Sequence, residues 1–210
     1  MTISRTVLYS YRRCPYAMRA RMALEAEKID CEIREIKLSD KPNTFTRLSP
    51  KATVPVLITP QGKVIEESLD IMMWVLNQSD SNQWLPLEGS QQQVWTKSII
   101  NKNDTQFKPL LDQYKYPQRY PLHSQNENFN EALEKFLLPL ELLLQDQKYL
   151  IGDQLTLADV AIFPFIRQFA MVDLQRFNQN ALEKLNQWLE NILSTELYNQ
   201  IMIKRSYWTE

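Results

Sequence analysis

The sequence predicts an α/β domain in its first eighty residues and an all-helical domain after it. Three observations carry this. Short apolar runs bounded by turn residues alternate with helically spaced ones as far as Leu76. A polar stretch holding Pro86 and Gly89 then breaks the pattern. Beyond it every segment repeats apolar residues at helical spacing. The domains are accordingly set at 1–79 and 90–210, with 80–89 as the linker.

Thr6–Tyr9 reads as a first strand, ending in the polar run Ser10–Arg13. Pro15 sits where a first-turn proline belongs, its missing N–H being unpaired there anyway. Met18, Met22, Ala26 and Ile29 follow at helical spacing, while Arg19, Arg21, Glu25 and Lys28 are expected to face water. Asp30–Leu38 is a second strand whose alternation slips between Ile33 and Ile36. Lys41–Leu48 suggests a short helix. Val54–Ile58 is a third strand, and Gln61-Gly62 turns it into Val64–Glu67, forming a hairpin. Ser68 is the expected N-cap of the helix Leu69–Leu76. The order β-α-β-α-β-β-α, read as two parallel-type crossovers and a hairpin, is a thioredoxin-like arrangement.

In the second half, Val94–Tyr114 is one long helical pattern interrupted at Asn101–Gln106. Asn128–Gln147 is another, with a kink expected at Pro139. Thr156 and Asp159 have capping-box spacing at the head of the apolar helix Leu157–Met171, with Gly152 suited to a left-handed reversal upstream. That pair reads as a folding device rather than a site. Ala181–Ile192 closes the pattern.

Composition excludes several function classes. Of the 210 residues, 24 are Lys or Arg and 25 Asp or Glu, giving a net charge of −1. Such a chain lacks the basic excess that nucleic-acid backbones demand. The longest apolar run, Val160–Ile166, is far short of the ~20 residues a membrane span needs. No secretory signal is read at Met1–Arg5, so a cytoplasmic location is expected. Three glycines argue against Gly-rich phosphate loops. Two cysteines and one histidine cannot build the usual four-ligand zinc site, and no metal is expected. His123 has no Gly-x-Ser-x-Gly elbow to serve and reads as a solvated loop residue.

The chemistry concentrates at Arg12-Arg13-Cys14-Pro15-Tyr16-Ala17. This places a thiol at the cap of the first helix, where unpaired N–H groups and the helix dipole favour an anion. Arg12, Arg13 and Arg19 add positive charge, and such surroundings lower a thiol pKa from about 8.5 to roughly 3.5–7.5. Position 17 is Ala17, so a dithiol pair is absent there. Cys31 lies beyond a helix that puts it roughly 20 Å away at 1.5 Å per residue, too far for a disulfide. Cys14 therefore needs an external thiol, and a glutathione-dependent monothiol mechanism is the natural chemistry.

Cys14-Pro15-Tyr16-Ala17, Val54-Pro55, Glu67-Ser68 and the Thr156-x-x-Asp159 box together resemble the cytosolic glutathione transferase superfamily, most closely its omega class. The resemblance implies a thioredoxin-like domain followed by an all-α domain, glutathione as co-substrate, and a homodimer. It implies that Cys14 faces the glutathione sulfur and that Val54, ahead of a cis Pro55, pairs with the cysteinyl part. Glu67 and Ser68 would hold the γ-glutamyl group, and Lys41 the glycyl carboxylate. The segment Lys115–Pro121 departs from the omega pattern; Tyr116 and Tyr120 there, with Tyr16, are candidates for the second-substrate site. Two other readings stand beside thiol transfer. One is a conjugating transferase in which Tyr9, Ser10 or Tyr11 activates glutathione. The other is a non-catalytic interaction protein.

Overall fold

A computed structural model describes residues 5–210; Met1–Ser4, on which the reading of the N-terminus partly rests, lie outside the described residues. The chain divides into two units, one running to Asn82 and rejoined by Thr195–Glu210, the other spanning Gln83–Ser194. Residues 195–210 thus fold with the α/β unit and not, as expected, with the helical one.

The α/β unit contains strands β1 (Thr6–Ser10), β2 (Cys31–Glu35), β3 (Val56–Ile58) and β4 (Val64–Ile65), in the order β2-β1-β3-β4. Its helices are α1 (Pro15–Ala26), α2 (Asn43–Leu48) and α3 (Ser68–Leu76). β1 pairs parallel with β2, Thr6 opposite Cys31, whereas β3 runs antiparallel to β1 with Leu57 opposite Leu8. Only the first connection is therefore a parallel crossover. β3 starts at the end where β2 stops, so a six-residue α2, about 9 Å long at 1.5 Å per residue, suffices between them. Val7, Tyr9, Ile36, Phe45, Val54, Val56 and Ile58 form the core under this sheet.

α1 departs from its expected amphipathic form. Arg19 and Arg21 are buried, at 0% and 4% exposure, because α3 and α11 (Glu196–Ile201) pack on the side of α1 expected to face water. The helix also stops at Ala26, with Lys28 at φ 50, so Ile29 falls outside it. α3 begins at Ser68 itself, with Glu67 in the cap position and no side chain capping it. Gly62 supplies the positive φ of 80 that the hairpin turn requires.

In the helical unit, α4 (Gln91–Lys102) and α5 (Lys108–Lys115) are joined by a π-helical turn, Asn103–Phe107. A second π turn, Leu133–Leu137, joins α6 (Gln125–Ala132) to α7 (Leu138–Leu143). Pro109 and Pro139 each follow two residues after a π turn. A proline ring clashes with the carbonyl four residues back, so a widened turn just before it relieves the clash. The kink expected at Pro139 is this widening, and its twin at Pro109 accounts for the interruption in the first pattern. Phe107 and Phe136, one from each π turn, stack at 4.5 Å.

The remaining helices are α8 (Leu157–Ala170), α9 (Leu174–Asn178) and α10 (Glu183–Leu193). The capping box of Thr156 and Asp159 forms at the head of α8. Asp159, fully buried, accepts from Thr156 N at 2.9 Å, Leu150 N at 2.8 Å and Trp188 Nε1 at 2.8 Å. One carboxylate thus ties the loop before α8 to α10. Among the described residues no helix is long and apolar enough to cross a membrane.

Two outcomes follow from these contacts. Asp159→Ala leaves the buried Trp188 and Leu150 donors without an acceptor, and should cost about 3 kcal/mol in urea unfolding; an unchanged midpoint would remove the tie. Glu27, at the end of α1, accepts from Ser79 Oγ, Ser81 N and Asn82 Nδ2. Desolvation pushes its carboxyl up, but these hydrogen bonds outweigh it and bring the pKa down from 4.5 to about 2. A depressed acid contributes stability that is complete above pH 4.5 and lost as pH falls towards 2. Glu27→Gln should therefore flatten the acid limb of the stability–pH curve over that window.

Candidate functional site

The site is built from the loop between β1 and α1. Cys14 N donates to Tyr11 O at 3.0 Å, closing a tight turn, and Met18 N donates to Cys14 O at 2.9 Å to start the helix. Cys14 is the N-cap, Pro15 the first helical residue. The thiol does not cap its own helix; Sγ instead lies 3.6 Å from Val54 O. The Val54–Pro55 peptide is cis, as the resemblance implied. Both cysteines are thiols rather than half-cystines. Burial pushes the Cys31 thiol up to about 12, which suits a structural residue.

A cleft of about 470 Å³ opens at Cys14. Its walls bring together Tyr16, Lys41, Val54, Pro55, Glu67 and Ser68, the α/β residues assigned from the sequence to glutathione and the second substrate. Sequence reading missed Leu38, Thr53 and Glu66, which also line it. Glu66 accepts from Ser49 Oγ at 2.5 Å; its position beside Glu67 was the only available signal. Glu67 is exposed and paired with Lys51 at 2.7 Å. Ser68 is buried, and its Oγ accepts from Arg19 Nη1 at 3.4 Å. Arg19 also lies over the Tyr16 ring, 5.6 Å from its centroid. Tyr116 and Tyr120 belong to the helical unit. There Lys115 and Arg119 cover the Tyr116 ring at 4.9 and 4.5 Å, and Tyr120 is exposed.

Of the cations expected around the thiol, Arg13 is exposed and donates to Tyr11 Oη at 3.1 Å, while the Arg12 backbone N–H donates to the Glu35 carboxylate at 2.7 Å. The residue that sequence reading placed in water does more. Arg21 sits two turns beyond Cys14 on α1 and donates to Ser10 Oγ at 2.5 Å, Tyr11 O at 3.3 Å and Arg12 O at 2.6 Å. Its Nε donates to Ile201 O at 3.1 Å. Burial brings its pKa down to about 10, while the nearby Glu35 and Cys14 favour its charged form. A cation that is favoured by the Cys14 anion favours that anion in return.

The three residues proposed as hydroxyl activators are differently placed. Tyr9 is buried and its hydroxyl accepts from Arg34 Nη1 at 2.7 Å; Ser10 is buried under Arg21. Tyr11 accepts from Arg13. None of the three lines the cleft. No group of three His, Cys, Asp or Glu suited to a metal occurs among the described residues.

Residues 8–83 match the model of the glutathione S-transferase N-terminal domain, and residues 107–196 that of its C-terminal domain. Glutathione S-transferase omega-1 of Mus musculus is 28% identical over 187 residues, covering 87% of this chain and 74% of that protein. A crystal structure of a glutathione transferase family member from Pseudomonas fluorescens, with two glutathione bound, superposes with a TM-score of 0.81 at 18% identity, over 95% of this chain and 92% of that one. Glutathione transferase Omega 2C from Trametes versicolor gives a TM-score of 0.75 at 21% identity, over 96% and 94% of the two chains. With both domain models matched in order, the chain belongs to the glutathione S-transferase family.

Proposed function

We propose that the protein is a glutathione-dependent thiol transferase in which Cys14 forms a mixed disulfide with glutathione. The observation that carries this is the position of Cys14 Sγ at the head of α1, opening into the same cleft as Lys41, Val54, Glu67 and Ser68. In this reading the cysteinyl part of glutathione pairs along Val54 like an added strand. The γ-glutamyl carboxylate meets Ser68 at the head of α3, its ammonium meets Glu67, and the glycyl carboxylate meets Lys41. The Lys51–Glu67 pair is solvent-exposed and screened by water, so the ligand ammonium can replace Lys51 at small cost.

The reaction is then two thiol–disulfide exchanges. The Cys14 thiolate attacks the glutathionyl sulfur of a mixed disulfide, forming the Cys14–glutathione bond and expelling the substrate thiolate, which takes up a proton from water. A second glutathione thiolate attacks the glutathionyl sulfur, forming glutathione disulfide and returning Cys14 as thiolate. In this reading Tyr16, in the cleft wall, contacts the second substrate. Dependence on reduced glutathione fits a cytoplasmic location. A homodimer completes the reading, supported by the exposed apolar side chains of Val94 and Trp95 beside a groove of about 420 Å³ in the helical unit.

Incubation with glutathione disulfide should add one glutathionyl group, lost in Cys14→Ser, as read by intact mass. Alkylation at pH 6 should label Cys14 faster than a model thiol and leave Cys31 untouched. Cys14→Ser should abolish thiol transfer while glutathione binding by calorimetry stays within a few-fold, because Val54, Glu67 and Ser68 remain. Undiminished thiol transfer in that variant would reject the mechanism. Conjugation of an electrophile without glutathionylation would favour the transferase alternative, and neither activity would favour an interaction protein.

A further inference from the structure

The segment after α11 returns to the sheet. Tyr207 forms a parallel bridge with Glu35 at the end of β2, and Trp208 N donates to Glu35 O at 2.8 Å. The Trp208 ring meets Tyr9 edge-on, 5.6 Å between centroids at 86°. Tyr9 in turn contacts Phe45 of α2 at 5.2 Å. Arg34 lies 4.6 Å from the Trp208 ring centroid and 5.3 Å from that of Tyr9. Two residues further on, Glu210 Oε1 accepts from Thr44 N at 2.7 Å and Thr44 Oγ1 at 3.0 Å.

These contacts converge on α2, which has few means of holding itself. Six residues are far below the length at which a helix persists alone. Its N-cap is Pro42, which offers no side-chain acceptor, so its first N–H groups depend on a group from elsewhere. Glu210 is that group for Thr44, and Phe45, fully buried, is the anchor that Trp208 reaches through Tyr9. Lys41 immediately precedes this N-cap and lines the Cys14 cleft.

We propose that residues 204–210 act as a positioning strap: Trp208 and Glu210 fix α2, and with it Lys41, at the cleft wall, and so set glutathione affinity without entering the chemistry. The inference rests on the glutathione site described above. Trp208 and Glu210 are absent from the cleft walls, and their effect passes through α2.

The test uses Trp208→Ala, Glu210→Gln and the conservative Trp208→Phe in the full chain. Hydrogen exchange of the α2 amides should accelerate about tenfold in the first two variants, and KM for glutathione in thiol transfer should rise about fivefold, with kcat and the Cys14 alkylation rate unchanged. Trp208→Phe, which keeps an aromatic edge on Tyr9, should recover most of both effects. If Trp208→Ala does not fold, Glu210→Gln alone decides, since its carboxylate is exposed. Unchanged α2 exchange overturns the strap. So does a fall in kcat with KM unmoved, or a Trp208→Phe variant as impaired as Trp208→Ala. Absence of glutathionylation in the unaltered protein overturns the site reading instead, and the two failures appear in different measurements.

Discussion

A guanidinium enclosed at 4% exposure must find acceptors for its N–H groups, and Arg21 takes them from the loop that ends at Cys14. Hydrogen bonds to a charged group contribute about 1.5–3 kcal/mol each, and leaving such a cation unpaired costs more than the bonds are worth. The loop conformation and the ionised state of Arg21 therefore sustain one another. Glu35 holds the same loop from the other side through the Arg12 N–H and joins in keeping Arg21 charged. The thiol is placed by this clamp, and the N-terminus of α1 adds its dipole along the same line. A long-range bond to Ile201 carries the arrangement to α11, which is why residues remote in sequence fold with the α/β unit.

Around the cleft, charged and polar groups already have partners within the protein. Glu67 already holds a cation from Lys51, and Ser68 already faces the buried guanidinium of Arg19. Arg19 lies behind Ser68, so it reinforces the positive head of α3 without lying in the cleft wall. Val54 and Pro55 form the apolar face of the site, where the Cys14 thiol meets the Val54 carbonyl at 3.6 Å.

Much of this was legible in the sequence where a single local rule applied. Pro15 after Cys14 marks a helix start, Gly62 marks a turn, and Thr156 with Asp159 marks a cap. Short apolar runs located β1 and β3, both well buried, but the second strand was read as far as Leu38, whereas β2 ends at Glu35 and Ile36 N makes the last bond of the parallel ladder, to Ser10 O at 2.7 Å. Arg19 and Arg21 were misread because charged side chains at helical spacing usually face water. Only the packing of α3 and α11 reverses that, and no local pattern announces it. The antiparallel pairing of β3 with β1 was missed because an apolar run is blind to strand direction. The contacts of Trp208 and Glu210 span far more chain than any spacing rule reaches.

The two π turns have a consequence for how this chain can change over time. Each widened turn sets the angular phase of everything beyond it, and one residue more or less rotates the following helix by about 100°. Phe107 and Phe136 stack only while both phases are kept. A deletion confined to either turn would swing its phenylalanine out of the stack and carry α5 or α7 round with it. The two irregularities are therefore coupled mechanically, through the single stacked pair that both of them place.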